Sequence, residues 1–599
     1  MYLITVIPLK RKLPDGQLSY ISKTKLEVNS IINVPLKKKT EVAFVVDVKK
    51  VSDEKSYIKS LPWKLITLND DINNDTELIF DFDLNKIISE FSLYSMSPVD
   101  NLVRHFLSSV NKVPKIQKED KTTKEISNKN KKDIKNILYI VSSDSKLKKY
   151  KNIQKENKED KEENEVKAKD KASNTSVDLK QNINYVTLHN FLNYFLKNSI
   201  NIDNIVLDDP EGISSYGMIY LGFDPTAFIV LMAKKLNIEI TFNSYIKTIR
   251  YDEWKIKQNL KIVNNDAKIR ILSRENEKKN QTKQYPLSPE ISDFILNNYN
   301  KGEKILIICS GKNFAPKTIC SDCSNIHSCL KCKNPLRLVR NNRNYAKKYG
   351  IAGNYIYICF NCNTASSALV KCINCDSWNL KPLGYGIERI IENINEIIPK
   401  NKHNLIYDFS ERISVKSEKI WQQDGGIVIA SIYDINEIQN YDTCIIPSLG
   451  AIMYGNSFDD FERARSIINY GKKANRGVVV SVMQDTEKVF LETDDNIWNK
   501  EELKDRKDLH YPPYSRYVLF KLDSYASKAI KIQDAIVGIL NKFAIKDTVV
   551  IKKTTNDQIY IAGSFVLNSW SINNQDYSLP IKIHKEIYPF LKYLSIVVY

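Results

Sequence analysis

Eight of the chain's ten cysteines fall between Cys320 and Cys375, as four C-x-x-C pairs: Cys320/Cys323, Cys329/Cys332, Cys359/Cys362 and Cys372/Cys375. A C-x-x-C turn aims two thiolates at one point. Two such turns complete a tetrahedral four-sulfur shell, which zinc accepts without a d-electron preference. Eight ligands therefore predict two Zn2+ ions. A disulfide scaffold would need an oxidising compartment, and an iron–sulfur cluster would use only four of the eight thiols. All-thiolate shells are closed, so both metals are read as structural. His327, between the second and third ligands, reads as a loop residue. Cys309 and Cys444 stand apart in apolar runs (ILIIC, TCIIP), where a free cysteine behaves as a small buried hydrophobe.

The spacers between the pairs are unequal: five residues, then 26, then nine. Upstream stands KILIICSGKNFAPKTICSDC, and downstream LGYGIERI and LKDRKDLHYPPYSRYVLFKL. Together these resemble the primosomal protein N′ (PriA) family, the replication-restart DNA helicases of superfamily II, in which comparable segments enter and leave a zinc insertion. The resemblance implies that Cys320, Cys323, Cys372 and Cys375 share one zinc, and that Cys329, Cys332, Cys359 and Cys362 share the other. The 26-residue spacer is long for the family, which suggests an enlarged exposed hairpin rich in Arg and Tyr (Arg337, Arg340, Arg343, Tyr345, Tyr349). Of these, Arg340, Arg343 and Tyr345 are candidate contacts to single-stranded DNA.

A helicase of this kind needs a glycine-rich phosphate cradle with a lysine and a Ser/Thr. The sequence has no Gly-Lys-Ser or Gly-Lys-Thr; its Gly-Lys pairs are Gly311-Lys312-Asn313 and Gly471-Lys472-Lys473. Where the family carries its acidic box, this chain has Asp208-Asp209-Pro210-Glu211, and where the family carries "SAT" it has Asn243-Ser244-Tyr245. The segment aligned with the arginine-finger motif reads Tyr470-Gly471-Lys472-Lys473-Ala474-Asn475-Arg476. An arginine finger is worth on the order of 10³–10⁵ in phosphoryl-transfer rate. No catalytic or nucleotide-binding residue is assigned, and whether the chain is an enzyme stays open.

The elements that must carry these groups divide the chain into an α/β, multidomain protein. Residues 1–70 read as a small β-domain, with β-branched runs around a Lys37-Lys38-Lys39 turn. The resemblance implies that this domain grips the three-prime end of a DNA strand, with Tyr20 to stack on a base and Lys59 near the strand end. Residues 71–112 read as helical, and 113–183 as a charged low-complexity linker interrupted by the strand NILYIVSS. Residues 184–300 resemble a degenerate first RecA-like lobe. The second lobe is 301–318 joined to 380–499, with the zinc module, 319–379, inserted in it. Strand-rich runs alternating with YGIERIIENINEII support a doubly wound lobe. Residues 500–599 read as a C-terminal α+β domain with a hairpin turning at Asn556-Asp557.

Size and charge set the class. The 599 residues carry 89 Lys+Arg against 71 Asp+Glu, a net charge of +18, and the isoelectric point is about 9.1. That balance suits a polyanion. No apolar run reaches the length of a membrane span, and MYLITVIPLKRK has its charge on the wrong side for a signal peptide. The expectation is a cytoplasmic, nucleoid-associated protein. It would bind forked or single-stranded DNA in replication restart, with primosome or single-strand-binding proteins as partners, no membrane, and a silent motor. An active ATP-dependent helicase with atypical motifs and a zinc-ribbon adaptor without DNA are the alternatives.

Overall fold

Runs of isoleucine and valine set where this chain pleats, and the width of each run sets the kind of sheet. The computed structural model describes residues 1–107, 135–141, 147–152, 181–194, 202–213, 223–260, 268–273, 287–398, 406–408, 421–453 and 459–599, apart from short breaks inside those ranges. Lys37, Lys38, Cys332, Cys362 and the Asn556-Asp557 turn lie outside the described residues.

The first 79 residues build a six-stranded, mostly antiparallel sheet. Its strand order is Ile66–Thr67, Leu18–Ser22, Tyr2–Pro8, Lys39–Lys50, Ser30–Leu36 and Leu78–Ile79. Side chains alternate between its faces as the period of two requires. Ile7, Ile31 and Phe44 enter the largest core of the molecule, and Ile4, Val6, Tyr20 and Val34 a smaller one. Helices Leu84–Ser95 and Val99–Phe106 follow, the first capped by Asp83, whose carboxylate accepts from the Lys86 amide at 3.0 Å.

Two wholly parallel sheets come next. The first has the order Lys257–Leu260, Glu239–Ser244, Asn204–Asp208, Lys135–Val141 and Gln181–Thr187. The strand Lys135–Val141, which the sequence leaves stranded in the charged stretch 113–183, is thus an inner strand here. Gln181–Thr187 straddles the expected boundary at 183. The second sheet has the order Ile269–Ser273, Gly477–Val482, Thr443–Ile446, Lys304–Cys309, Gly426–Ser431 and Ile406–Asp408. Ile269–Ser273 therefore pairs with the second sheet, although it lies in the stretch 184–300. Continuous apolar runs are what a parallel sheet covered on both faces needs. Leu306, Val428, Cys444 and Val480 face one core, and Ile305, Ile307, Cys309, Ile427 and Val479 the other. Gly477 (φ +123°) starts one strand where any Cβ would meet the Lys268 carbonyl oxygen at 2.3 Å.

The C-terminal sheet is antiparallel, in the order Ile551–Thr555, Gln558–Val566, Ser515–Asp523 and Leu594–Val598, and packs on helices Ala529–Phe543 and Ser578–Ile587. Its Trp570 is fully buried, and its Nε1 donates to the Tyr94 carbonyl at 2.8 Å. At roughly 25 cal/mol per Å² over about 200 Å², that ring contributes on the order of 5 kcal/mol. Buried charges make the remaining joints. Arg516 donates to Glu253 at 3.0 Å and to the Trp570 carbonyl at 2.9 Å. Glu462, on helix Asp460–Gly471, accepts from the Ile249 amide at 3.0 Å and from Arg506 at 2.8 Å. Arg506 is 2% exposed and also pairs with Glu502 at 2.8 Å.

Removing one member of that group strands the other. Arg506→Met is expected to destabilise the protein by about 3 kcal/mol, the cost of an uncompensated buried charge. Adding Glu462→Gln, which keeps an acceptor for the Ile249 amide, should restore most of it. Urea midpoints of the two variants check this; equal midpoints would refute it.

Candidate metal centre and acidic turn

The outer cysteine pairs meet. Cys320, Cys323, Cys372 and Cys375 place their sulfurs within 4.8 Å of one another, as a group able to hold a metal ion. Cys320 lies 3.6 Å from Cys375, and Cys323 3.6 Å from Cys372. A tetrahedron with metal–sulfur bonds of about 2.3 Å has sulfurs roughly 3.8 Å apart, so the set fits a thiolate-bound metal.

The two turns are built alike. The amides of Ser324 and Asp376, the residues after each second cysteine, donate to Cys320 and Cys372 carbonyls at 2.9 Å. Both residues adopt left-handed backbone (φ +57° and +54°), which Asp and Ser tolerate at modest cost. Each turn closes when the first cysteine's amide donates five residues on: Cys320 to Asn325 at 2.9 Å and Cys372 to Ser377 at 2.8 Å. Cys359 makes the same bond, to Thr364 at 2.8 Å. The third pair thus begins with the closure of the first and fourth. Asp322 ties the outer turns together, accepting from Asn379 Nδ2 at 2.9 Å and from the Ser377 hydroxyl.

Crowded thiols cannot all ionise without a cation. The Asn374 side chain and the Asn325 amide draw the Cys323 thiol down to about 6. Cys375 accepts from the Ser377 amide, yet Cys323 beside it helps push it up to about 12. Of the inner set, Cys329 and Cys359 are buried together with Tyr357, Leu338 and Ala315. His327, expected in a loop, is buried as well, its ring 4.6 Å from that of Tyr357. The Tyr357 ring packs against it, which spacing alone could not reveal.

The module sits on the second parallel sheet between strand Lys304–Cys309 and helix Ile387–Ile397. Strands Arg337–Arg340 and Tyr355–Ile358 pair antiparallel, with the short helix Arg343–Tyr349 between them. Arg343 is exposed, and Tyr345 stacks at 6.3 Å on Tyr349. Arg340 is tied down: Glu392 holds its guanidinium and Glu388 its amide, at 2.8 Å. Lys39, at the start of strand Lys39–Lys50, and Lys59, on the short helix Lys55–Ser60, are exposed. Tyr20 is not: it is 3% exposed and its hydroxyl donates to the Pro35 carbonyl at 2.7 Å, so the sheet's own core takes the ring expected to stack on a base. Sequence reading also passed over Trp378, which is 65% exposed with Lys371 5.4 Å from its ring centroid.

The acidic turn closes the middle strand of the first parallel sheet. Asp208 and Asp209 are buried, and Asp209 is left-handed (φ +65°), its amide donating to the Asn243 carbonyl at 3.2 Å. Glu211 accepts from the Thr248 hydroxyl at 2.6 Å; burial first, then Asp209, raises its carboxyl to about 7. On the second sheet Asn475 donates to Asp442 at 2.9 Å, and Arg476 pairs with Glu303. Gly471 packs where a Cβ would come within 3.1 Å of Cys444 Sγ.

A stretch of 205 residues, 33% of the chain, is 22% identical to the Replication restart protein PriA of Haemophilus influenzae. That match covers 26% of the relative, about a quarter of its length. No protein-family model matches the chain. The similarity is to a PriA-like protein, and it is partial. Among the described residues no helix is long and apolar enough to cross a membrane.

The centre makes a direct prediction. Cys323→Ser or Cys372→Ser should each lower bound metal by one equivalent per chain, read by elemental mass spectrometry. Cys309→Ser, outside the module, should leave the metal content unchanged.

Proposed function

We propose that this protein is a PriA-like DNA-binding protein of replication restart that assembles at forked or single-stranded DNA, with its motor silent. The observation that carries the reading is the four-sulfur cluster, formed by the first and last of four C-x-x-C pairs in a module inserted between a strand and a helix of a parallel α/β sheet. The partial similarity to a replication restart protein points the same way. On this reading the two parallel sheets are RecA-like lobes, the first degenerate. Two Zn2+ ions hold the inserted module, one on the outer cysteines and one on Cys329, Cys332, Cys359 and Cys362. The N-terminal sheet, the lobes, the module and the C-terminal sheet are separate domains of a cytoplasmic, nucleoid-associated protein.

The silent motor is supported by what the phosphate-handling positions do instead. Asn475 and Arg476 are engaged by Asp442 and Glu303, carboxylates that precede strands, at the edge opposite the one where ligands of parallel sheets bind. Gly311-Lys312-Asn313 leads into the zinc module and brings no Ser or Thr for a magnesium ion. DNA is held by exposed cations, Lys39, Lys59 and Arg343 among them, with Tyr345 at the module's helix and Lys37 and Lys38, which precede Lys39 in the sequence. Exposed apolar side chains on the module, Leu369, Leu330 and Trp378 foremost, favour a second role as a platform for a primosome or single-strand-binding protein.

Fluorescence anisotropy with a labelled fork tests the reading. Affinity should fall on the order of 10³-fold between 50 and 200 mM salt if about six phosphates are neutralised. No preference for DNA even at 50 mM salt would leave the adaptor reading in its place.

A further inference from the structure

Trp378 stands in the open on a fixed turn. It is 65% exposed, whereas Trp254, Trp421, Trp498 and Trp570, the other tryptophans among the described residues, are each at most 7% exposed. The backbone on either side of it is bound to the outer cysteine turns. The Ser377 carbonyl accepts from the Cys372 amide at 2.8 Å, and the Asn379 carbonyl from the Ser321 amide at 2.9 Å. The Trp378 carbonyl accepts from the Leu380 amide at 2.8 Å, and the side chains of Ser377 and Asn379 both donate to Asp322. A single exposed apolar side chain needs no explanation. An indole held outward by this many bonds is a different case, because a preorganised ring loses little freedom when something stacks on it.

Its surroundings select the ligand. Lys371 places Nζ over the ring, 5.4 Å from the centroid, and Lys371 and Lys381 are both exposed. Asp322, the carboxylate of this turn, is already engaged by Ser377 and Asn379. Residues 317–383 carry ten Lys+Arg against two Asp and no Glu. Two four-thiolate shells, each anionic with a divalent ion inside, leave that stretch cationic. The pairing of ring and cation recurs on the module's helix, where Lys348 Nζ lies 4.9 Å from the centroid of Tyr349, the ring stacked on Tyr345. Rings that stack bases and cations that track the backbone are the two parts of a single-strand site. Protein interfaces are depleted in lysine, so the two lysines favour a nucleic acid over a protein at this ring.

We infer that Trp378 is a base-stacking platform for single-stranded DNA, with Lys371 and Lys381 taking phosphates that flank the stacked base. The inference deepens the DNA-binding reading and rests on it. Every base has a π face, so such a contact adds affinity without selecting a sequence. The outer metal centre then has a second consequence: by fixing the two cysteine turns it fixes the ring that lies between their bonds.

The test uses the full metal-loaded chain and a labelled oligothymidylate, with anisotropy and tryptophan fluorescence read together over a series of salt concentrations. Trp378→Ala should weaken binding about 5- to 150-fold, the worth of one stacked base, and leave the slope of log affinity against log salt unchanged. Trp378→Phe should recover most of that affinity but lose the fluorescence quench that oligothymidylate produces in the wild-type chain. Lys371→Gln should instead flatten the salt slope, by about 0.7 for one phosphate. The ring and the lysine are exposed, so all three variants should keep the wild-type metal content. Should Trp378→Ala release metal, the quench in the Phe variant and the slope in Lys371→Gln decide the matter. Wild-type affinity in Trp378→Ala, with the wild-type quench in Trp378→Phe, would overturn the inference alone and leave the ring to a protein partner. So would a wild-type chain that binds the fork but not oligothymidylate. A chain that binds neither at low salt would overturn the DNA-binding reading and this inference with it.

Discussion

Four sulfurs within 4.8 Å of one another are a constraint before they are a site. Ionised together they repel, and protonated together they leave the geometry of a ligand shell unused; a divalent cation resolves both. Much of the module follows from meeting that demand. Left-handed Ser324 and Asp376 are tolerated because the turns must aim two thiolates each, and Asp322 links the turns so that the pairs face one another. With little apolar core of its own, the module gains order from the metal and from its seat on the second parallel sheet.

Buried charge recurs at the joints between sheets. Glu462 draws on one backbone amide and one arginine from segments far apart in sequence, and Arg250 pairs at 3.2 Å with Asp224, which caps helix Pro225–Lys235. Such groups are weak sources of net stability but costly to separate. They make the arrangement of the two parallel sheets specific, which suits a body that presents surfaces at fixed places.

Much of this was legible in residue types. Four C-x-x-C pairs announced a thiolate centre, and IVL before Asp208, ILIIC, GIVIAS, TCII and GVVVSV announced buried parallel strands, because continuous β-branched runs have few other homes. What the sequence hid were partnerships. Lys135–Val141 looked isolated because its neighbours in the sheet come from 181–187 and 204–208, across a charged stretch with no periodicity of its own. Ile269–Ser273 looked like part of the first lobe because sequence proximity says nothing of which sheet has a free edge. Tyr20 looked like a stacking residue, and nothing in the sequence marked the loop residue His327 as buried, because burial is decided by what packs from elsewhere: Pro35 in one case, Tyr357 in the other.

The central claim is that a fork-binding body persists while the positions that would grip a nucleotide have been turned to structural use. Glu211 accepts from Thr248, Asn475 donates to Asp442, and Arg476 holds Glu303. The most direct measurement is ATP hydrolysis by the metal-loaded chain, with and without saturating forked DNA, alongside calorimetric titration with ATP and magnesium. The account predicts no DNA-stimulated turnover and no magnesium-dependent binding heat in a sample that binds the fork. DNA-stimulated turnover near 1 s⁻¹ or faster, on the order of typical enzyme rates, would contradict it.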